Sequence, residues 1–235
     1  MFRRGKRRGF SHGPDRSHDF MLFWDVDTQV DFMIPAGNLY VGGGEKIIPN
    51  LRRLTAWAGS HRVLVVSSAC AHQPGDQEFA IFGPHCLAGT PGQQKVLETL
   101  LPNRYVVADR LVALPDLHLF QQIIIEKRVF DVFSNPNAEP ILEQLGAGLR
   151  VVMYGVVTEI CVASAANALL TRGHHVELVR DAVAALDEQK AARVLERFEE
   201  AGGRLVKTDD ILKETPAPQS EPSSSAPSSG GLRAS

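Results

Sequence analysis

The residues best able to carry chemistry fall in four short segments: Asp25, Asp27 and Asp31; Cys70 and His72, with Glu78 and His85 behind them; Glu126 and Lys127; and Thr158 through Cys161. Cys161 is the candidate nucleophile. Thr158 is of the residue type that caps helices, which places Cys161 in the first turn of the helix that follows. Unpaired amides and the helix dipole there stabilise a thiolate, lowering its pKa from about 8.5, and the same N–H groups face a developing oxyanion. Asp27 ends a strand, where a carboxylate stays near solvent, and is the better general base. Asp25, deeper in the same strand, is costly to bury without a partner and has no role assigned. Lys127 is either a surface lysine or a cation that pairs with Asp27 and helps draw the proton from Cys161.

Cys70, His72, Glu78 and His85 lie within sixteen residues. They are either a site for zinc, iron or manganese or scattered polar loop residues. Arg128 reads as a solvated charge, as do His174 and His175 after a helix-ending glycine. Gly42, Gly43 and Gly44 read as a turn, because they lack the spacing of a phosphate-cradling loop.

The elements that position these residues alternate. Short, nearly continuous apolar runs at 20–26, 63–66, 123–125, 151–154 and 176–179 suit strands buried on both faces of a parallel sheet. Between them, Ile47, Ile48, Leu51, Leu54 and Ala58 recur at helical spacing, as do Ala191, Val194, Leu195 and Phe198; segments 140–145 and 158–172 supply two more helices. Such alternation predicts an open α/β sheet with helices on both faces. Residues 69–118, rich in glycine and proline, read as a long irregular insertion. In open α/β sheets ligands bind beyond the carboxyl ends of the strands, and Asp27, Cys70 with His72, Glu126 with Lys127, and the segment from Gly155 to Cys161 stand after such runs. An acid, a base and a thiol therefore meet at one rim of the sheet.

The 235 residues suffice for one core without staples. No apolar run approaches the ~20 residues of a membrane helix. Three cysteines are too few for a disulfide framework, which favours a reducing, cytoplasmic setting. Residues 1–18 carry six Lys/Arg against Asp15 alone, and residues 214–235 hold four Pro and seven Ser. Both read as disordered tails flanking a domain at 19–213, whose 18 basic and 24 acidic residues make it acidic. Nucleic-acid binding is not expected despite the basic tail.

Together the rim segments resemble the isochorismatase-like cysteine hydrolases, and within them the nicotinamidase branch. The family's D-x-Q-x-D-F is matched by Asp27, Gln29, Asp31 and Phe32. Its Lys with Asp four residues on and then Phe is matched by Lys127, Asp131 and Phe133. Its G-x-x-T-[DE]-x-C-V is matched from Gly155 to Val162, and a later Asp-Ala by Asp181 and Ala182. The resemblance implies a three-layer α/β/α fold with a central, mostly parallel sheet of about six strands, a triad of Asp27, Lys127 and Cys161, and a cis peptide between Val156 and Val157. By the same resemblance the N–H groups of Val157 and Cys161 form the oxyanion hole, and Phe32 packs on a substrate ring. The branch's metal ligands are matched at His72, Glu78 and His85, with Cys70 where the family has Asp; a thiolate there favours zinc over iron or manganese. The activity implied is hydrolysis of a small, nicotinamide-like carboxamide through a thioester, by a chain that assembles as a homo-oligomer. Two rival readings remain: a metal-free vinyl-ether hydrolase of the isochorismatase kind, which needs no cysteine, and a non-catalytic α/β binding protein.

Overall fold

A computed structural model of the protein describes residues 20–215. Both expected tails lie essentially outside that range. In chain order the elements are β1 (Met21–Val26), α1 (Val30–Met33), α2 (Gly44–His61), β2 (Val65–Cys70), α3 (Phe79–Phe82), β3 (Arg104–Val107), β4 (Gln122–Lys127), α4 (Ala138–Leu145), β5 (Arg150–Val156), α5 (Ala163–Thr171), β6 (His175–Ala184), α6 (Glu188–Glu200), β7 (Arg204–Val206) and α7 (Thr208–Leu212). The strands form one sheet in the order β3-β4-β2-β1-β5-β6-β7, with every pairing parallel.

Alternating side chains of the central strands build two apolar layers, because successive residues of a strand point to opposite faces. Leu22, Trp24 and Val26 of β1 pack with Ile141 and Leu145 of α4, Ala165 and Leu169 of α5 and Phe198 of α6. Met21 and Phe23 pack on the other face with Leu51, Leu54 and Trp57 of α2 and Ile211 of α7. Phe23 and Trp57 stack with ring centroids 5.5 Å apart. The expected three-layer α/β/α fold is the observed one. Among the described residues no helix is long and apolar enough to cross a membrane.

The sheet has seven strands where about six were expected. β3 lies inside the stretch read as an irregular insertion. As an edge strand its outward residues stay wet, so no continuous apolar run marks it. β7 is only three residues long. Chain order reverses around β1, which pairs with β2 on one side and β5 on the other. A crevice therefore opens at the carboxyl end of β1, where ligand sites of open α/β sheets form.

Candidate active site and metal site

Asp27 follows β1 directly and has a left-handed backbone, φ 48°. Its N–H donates to the Ser68 carbonyl at 3.2 Å, and the Ser68 hydroxyl donates to Oδ1 at 2.7 Å. Gln29 ties the same turn to the end of β2: its Nε2 donates to the Cys70 carbonyl and its Oε1 accepts from the Cys70 N–H, both at 2.7 Å. Asp31 is buried and accepts from the N–H groups of Asn38 (2.9 Å) and Cys86 (2.6 Å), joining the loop that carries His85 to the first segment. A Cβ at Gly92 would lie 2.3 Å from the Asp31 carboxylate oxygens, so that position needs glycine. The first motif thus supplies one acid to the rim and two residues that hold the rim together.

Lys127 ends β4 and is 1% exposed. Its ammonium has three donors and three partners: Asp27 Oδ2 at 2.9 Å, Cys70 Sγ at 3.2 Å and Cys161 Sγ at 3.6 Å. Lys127 is therefore no surface lysine; it stands at the centre of the rim. Burial pulls its pKa down, but Asp27 and the two thiols outweigh that and hold it well above the ordinary lysine value.

Cys161 reaches the rim from the other side. β5 passes so close to β1 at Gly155 that a Cβ there would lie 2.1 Å from the Val26 carbonyl oxygen. The chain then runs through the cis Val156–Val157 peptide into a π-helical turn, Thr158–Val162, that leads into α5. The Val162 N–H donates to the Val157 carbonyl five residues back, at 3.1 Å. Thr158 does not cap this helix: its hydroxyl donates to the Ala184 carbonyl of β6 at 2.8 Å. Nor is the thiol acidified as a helix N-terminus alone predicts. Burial pushes Cys161 well above the ordinary thiol value, and the neighbouring ammonium offsets only part of the rise. Burial, and the negative charge of Asp27 beside it, favour the neutral thiol over the thiolate.

A narrow cleft lies over Asp27 and Cys161, walled by Phe32, Leu39, Phe82, Phe130, Ile160 and Leu186, with Glu78 also in its lining. Phe32 also packs on the His85 ring at 5.4 Å between centroids.

Cys70, His72 and His85 offer ligand atoms that all lie within 4.8 Å of one another. His85 Nδ1 donates to the Gly83 carbonyl at 2.9 Å, and His72 Nδ1 donates to Asp76 at 3.1 Å. A neutral ring at either position therefore carries its lone pair on Nε2. Both Nε2 atoms and Glu78 Oε2 are buried without a hydrogen-bond partner among the described residues. Glu78 Oε1 lies 3.8 Å from His72 Nε2 and 3.5 Å from His85 Nε2. Two imidazole lone pairs, a carboxylate and a thiol facing one small space suit a divalent ion. Burial lowers the His72 pKa, which favours the neutral, ligating form.

Several side chains were missed or misplaced by the sequence. Asp25, left without a role, pairs with Lys95 at 2.9 Å inside the sheet. Arg128 is not a free solvated charge, since it grips Asp76. His174 is buried, and its Nδ1 accepts from the Leu149 N–H at 3.1 Å; it closes the start of β5, although it follows a helix-ending glycine. Asp131 and Asp181, two of the motif acids, accept from the N–H groups of Phe133 and Thr208, at 2.9 and 2.8 Å; the first caps the helical turn Val132–Ser134 and the second ties β6 to the start of α7.

Residues 22–210 match the isochorismatase domain. A curated relative, the uncharacterized isochorismatase family protein PncA of Bacillus subtilis (strain 168), is 27% identical over 190 residues, 77% of this chain and 95% of its own. The pyrazinamidase of Pyrococcus horikoshii, solved in complex with zinc, superposes with a TM-score of 0.65 at 29% identity, covering 80% of this chain and 99% of that one. PnC1 of L. infantum, solved in complex with nicotinate, gives 0.66 at 23% identity over 81% of this chain and 94% of that one, a likeness of fold.

Proposed function

Taking as premise that this chain belongs to the isochorismatase family of hydrolases, we propose that it is a cysteine amidohydrolase cleaving a small, nicotinamide-like carboxamide to acid and ammonia. One observation carries this reading: a single buried ammonium within 3.6 Å of both a carboxylate and a thiol, beneath an apolar cleft.

The neutral thiol sets the first step. Asp27 takes the Cys161 proton as Sγ attacks the carboxamide carbon, so charge moves from the carboxylate to the carbonyl oxygen without a free buried thiolate. The N–H groups of Val157 and Cys161 receive that oxyanion. Protonated Asp27 gives its proton to the amide nitrogen, ammonia leaves, and a thioester remains. A water that loses a proton to Asp27 then attacks the thioester. The acid departs, and Sγ recovers the proton from Asp27. Lys127 holds both partners in place and balances the negative charge as it passes between them. Phe32 and the apolar walls face the ring of an aromatic amide.

Cys70, His72, Glu78 and His85 would hold the metal, with zinc favoured by the thiolate. A divalent ion held there would supply Lewis acidity toward a ring nitrogen of the substrate. Elemental analysis of protein purified without chelators is expected to give one zinc per chain, and His85→Ala to lose it. Manganese in place of zinc, or zinc retained in His85→Ala, contradicts this ligand set.

Vinyl-ether hydrolysis of the isochorismatase kind needs no thiol, and the Cys161–Lys127–Asp27 contacts favour the amide reading. A panel of primary carboxamides assayed for ammonia release tests it. Release from an aromatic carboxamide that disappears in Cys161→Ala is the expected result. An amide panel without turnover, alongside hydrolysis of a vinyl ether, overturns it.

A further inference from the structure

His72 belongs to a chain of hydrogen bonds that runs from the rim to solvent. Asp76, four residues on, accepts from His72 Nδ1 at 3.1 Å and from the Gln73 N–H at 3.0 Å. The same carboxylate takes a two-point grip from Arg128, with Nε at 3.0 Å from Oδ2 and the second nitrogen on Oδ1. The Asp76 side chain is 6% exposed and that of Arg128 46%. Arg128 directly follows Lys127 at the end of β4. Consecutive residues at the end of β4 therefore serve the two halves of the rim: Lys127 turns inward to Asp27 and Cys161, Arg128 outward to the loop that carries His72.

We infer that Arg128 and Asp76 form a clamp that fixes His72 as its Nδ1–H tautomer and aims the Nε2 lone pair at His85, Glu78 and Cys70. Both are positioning residues for the metal site, and the inference rests on the metal reading given above. A carboxylate can only accept, so its contact with Nδ1 decides which ring nitrogen carries the proton. Arg128 holds that acceptor in place through two contacts, one to each carboxylate oxygen. The planar fork also fixes the orientation of the carboxylate, which a lysine's point charge does not. A half-exposed ion pair contributes little to global stability, so its consequence is felt at the ring it orients.

Two measurements on the full chain test the clamp. In metal-free protein, ¹⁵N NMR of the imidazoles should show His72 as the Nδ1–H tautomer, and Asp76→Ala and Arg128→Ala should yield a tautomer mixture. In a zinc titration against a chromophoric chelator, both variants should bind about 10–100-fold more weakly than the parent, the usual effect of losing an outer partner of a metal-bound histidine. Arg128→Lys should fall between. The thermal midpoint of the metal-free variants should stay near the parental value, which separates positioning from folding. A pure Nδ1–H tautomer in Asp76→Ala, or parental zinc affinity in Arg128→Ala, overturns the clamp. A parent that takes up no zinc overturns the metal reading instead, and the tautomer measurement still decides the clamp.

Discussion

Two buried aspartate–lysine pairs stand one above the other at the end of β1, and under the proposed function they do different things. Asp27–Lys127 and Asp25–Lys95 have the same 2.9 Å contact, and in both the side chains are almost fully enclosed. Around the inner pair every further partner is a hydroxyl. Thr28 Oγ1 donates to Asp25 Oδ1 at 2.9 Å, Ser67 Oγ donates to Oδ2 at 3.2 Å, and Lys95 Nζ donates to Thr28 Oγ1 at 2.9 Å. Around the outer pair the further partners of the ammonium are two thiols, beneath the narrow apolar cleft. An ion pair becomes machinery when a nucleophile and a substrate can reach it. Otherwise it is a rivet, here one that fixes the 94–96 segment to the turn after β1, through Val30 N–H to the Gln94 carbonyl (2.8 Å) and Val96 N–H to the Thr28 carbonyl (2.9 Å).

That contrast can be broken by treating the pairs alike. Replacing the outer pair by apolar residues, Asp27→Leu with Lys127→Met, should cost at least about 10⁴-fold in kcat/KM, since base and positioning cation go together. Its thermal midpoint should move little, because apolar replacement of a whole buried pair is often neutral. Asp27→Asn alone should cost on the order of a hundredfold or more in steady-state turnover. Near-parental rates in either variant contradict the assignment of Asp27.

The inner pair should behave the other way round. Asp25→Ala leaves Lys95 buried without its counter-ion and should destabilise by about 3–5 kcal/mol in denaturant titration. The double replacement Asp25→Leu with Lys95→Met should recover most of that and keep kcat/KM within about tenfold of the parent. If the double variant loses as much activity as the outer one, the two pairs are not separable.

The smallest effect concerns pH and another buried carboxylate, Glu177 in β6. Burial raises the Glu177 pKa, but Arg150 at 2.7 Å and Arg204 outweigh it and hold the carboxyl below its ordinary 4.5. A carboxylate lowered on folding contributes stability that is complete above its unfolded value and lost as pH falls through the folded one. The parent should therefore lose more of its thermal midpoint than Glu177→Gln below about pH 4.5. Equal losses contradict the role given to the two arginines.

The outer pair and Cys161 were legible in the sequence because each residue follows a short apolar run, and the ends of parallel strands meet in space. The inner pair was not. Lys95 lies in a segment whose glycines and prolines carry no periodicity, so nothing local announces that it turns inward. Arg128 and Asp76 are 52 residues apart and meet only through β2–β4 pairing. The π-helical turn was equally hidden, since Thr158 has the right type for a cap and only β6 beside it offers the Ala184 carbonyl instead. Charge balance at Cys161 was misread for the same reason: helix position is visible in a sequence, while the depth of burial that opposes it is a property of the assembled sheet.

The central claim is that Cys161 is acylated during turnover, and it is tested most directly by intact-mass spectrometry of protein acid-quenched while hydrolysing an aromatic primary carboxamide. The account predicts an adduct of the acyl mass that peptide mapping places on Cys161 and that is absent from Cys161→Ala, which should be inactive yet folded. Parental ammonia release by Cys161→Ala, or an acyl adduct on Cys70 or Cys86 instead, would contradict it.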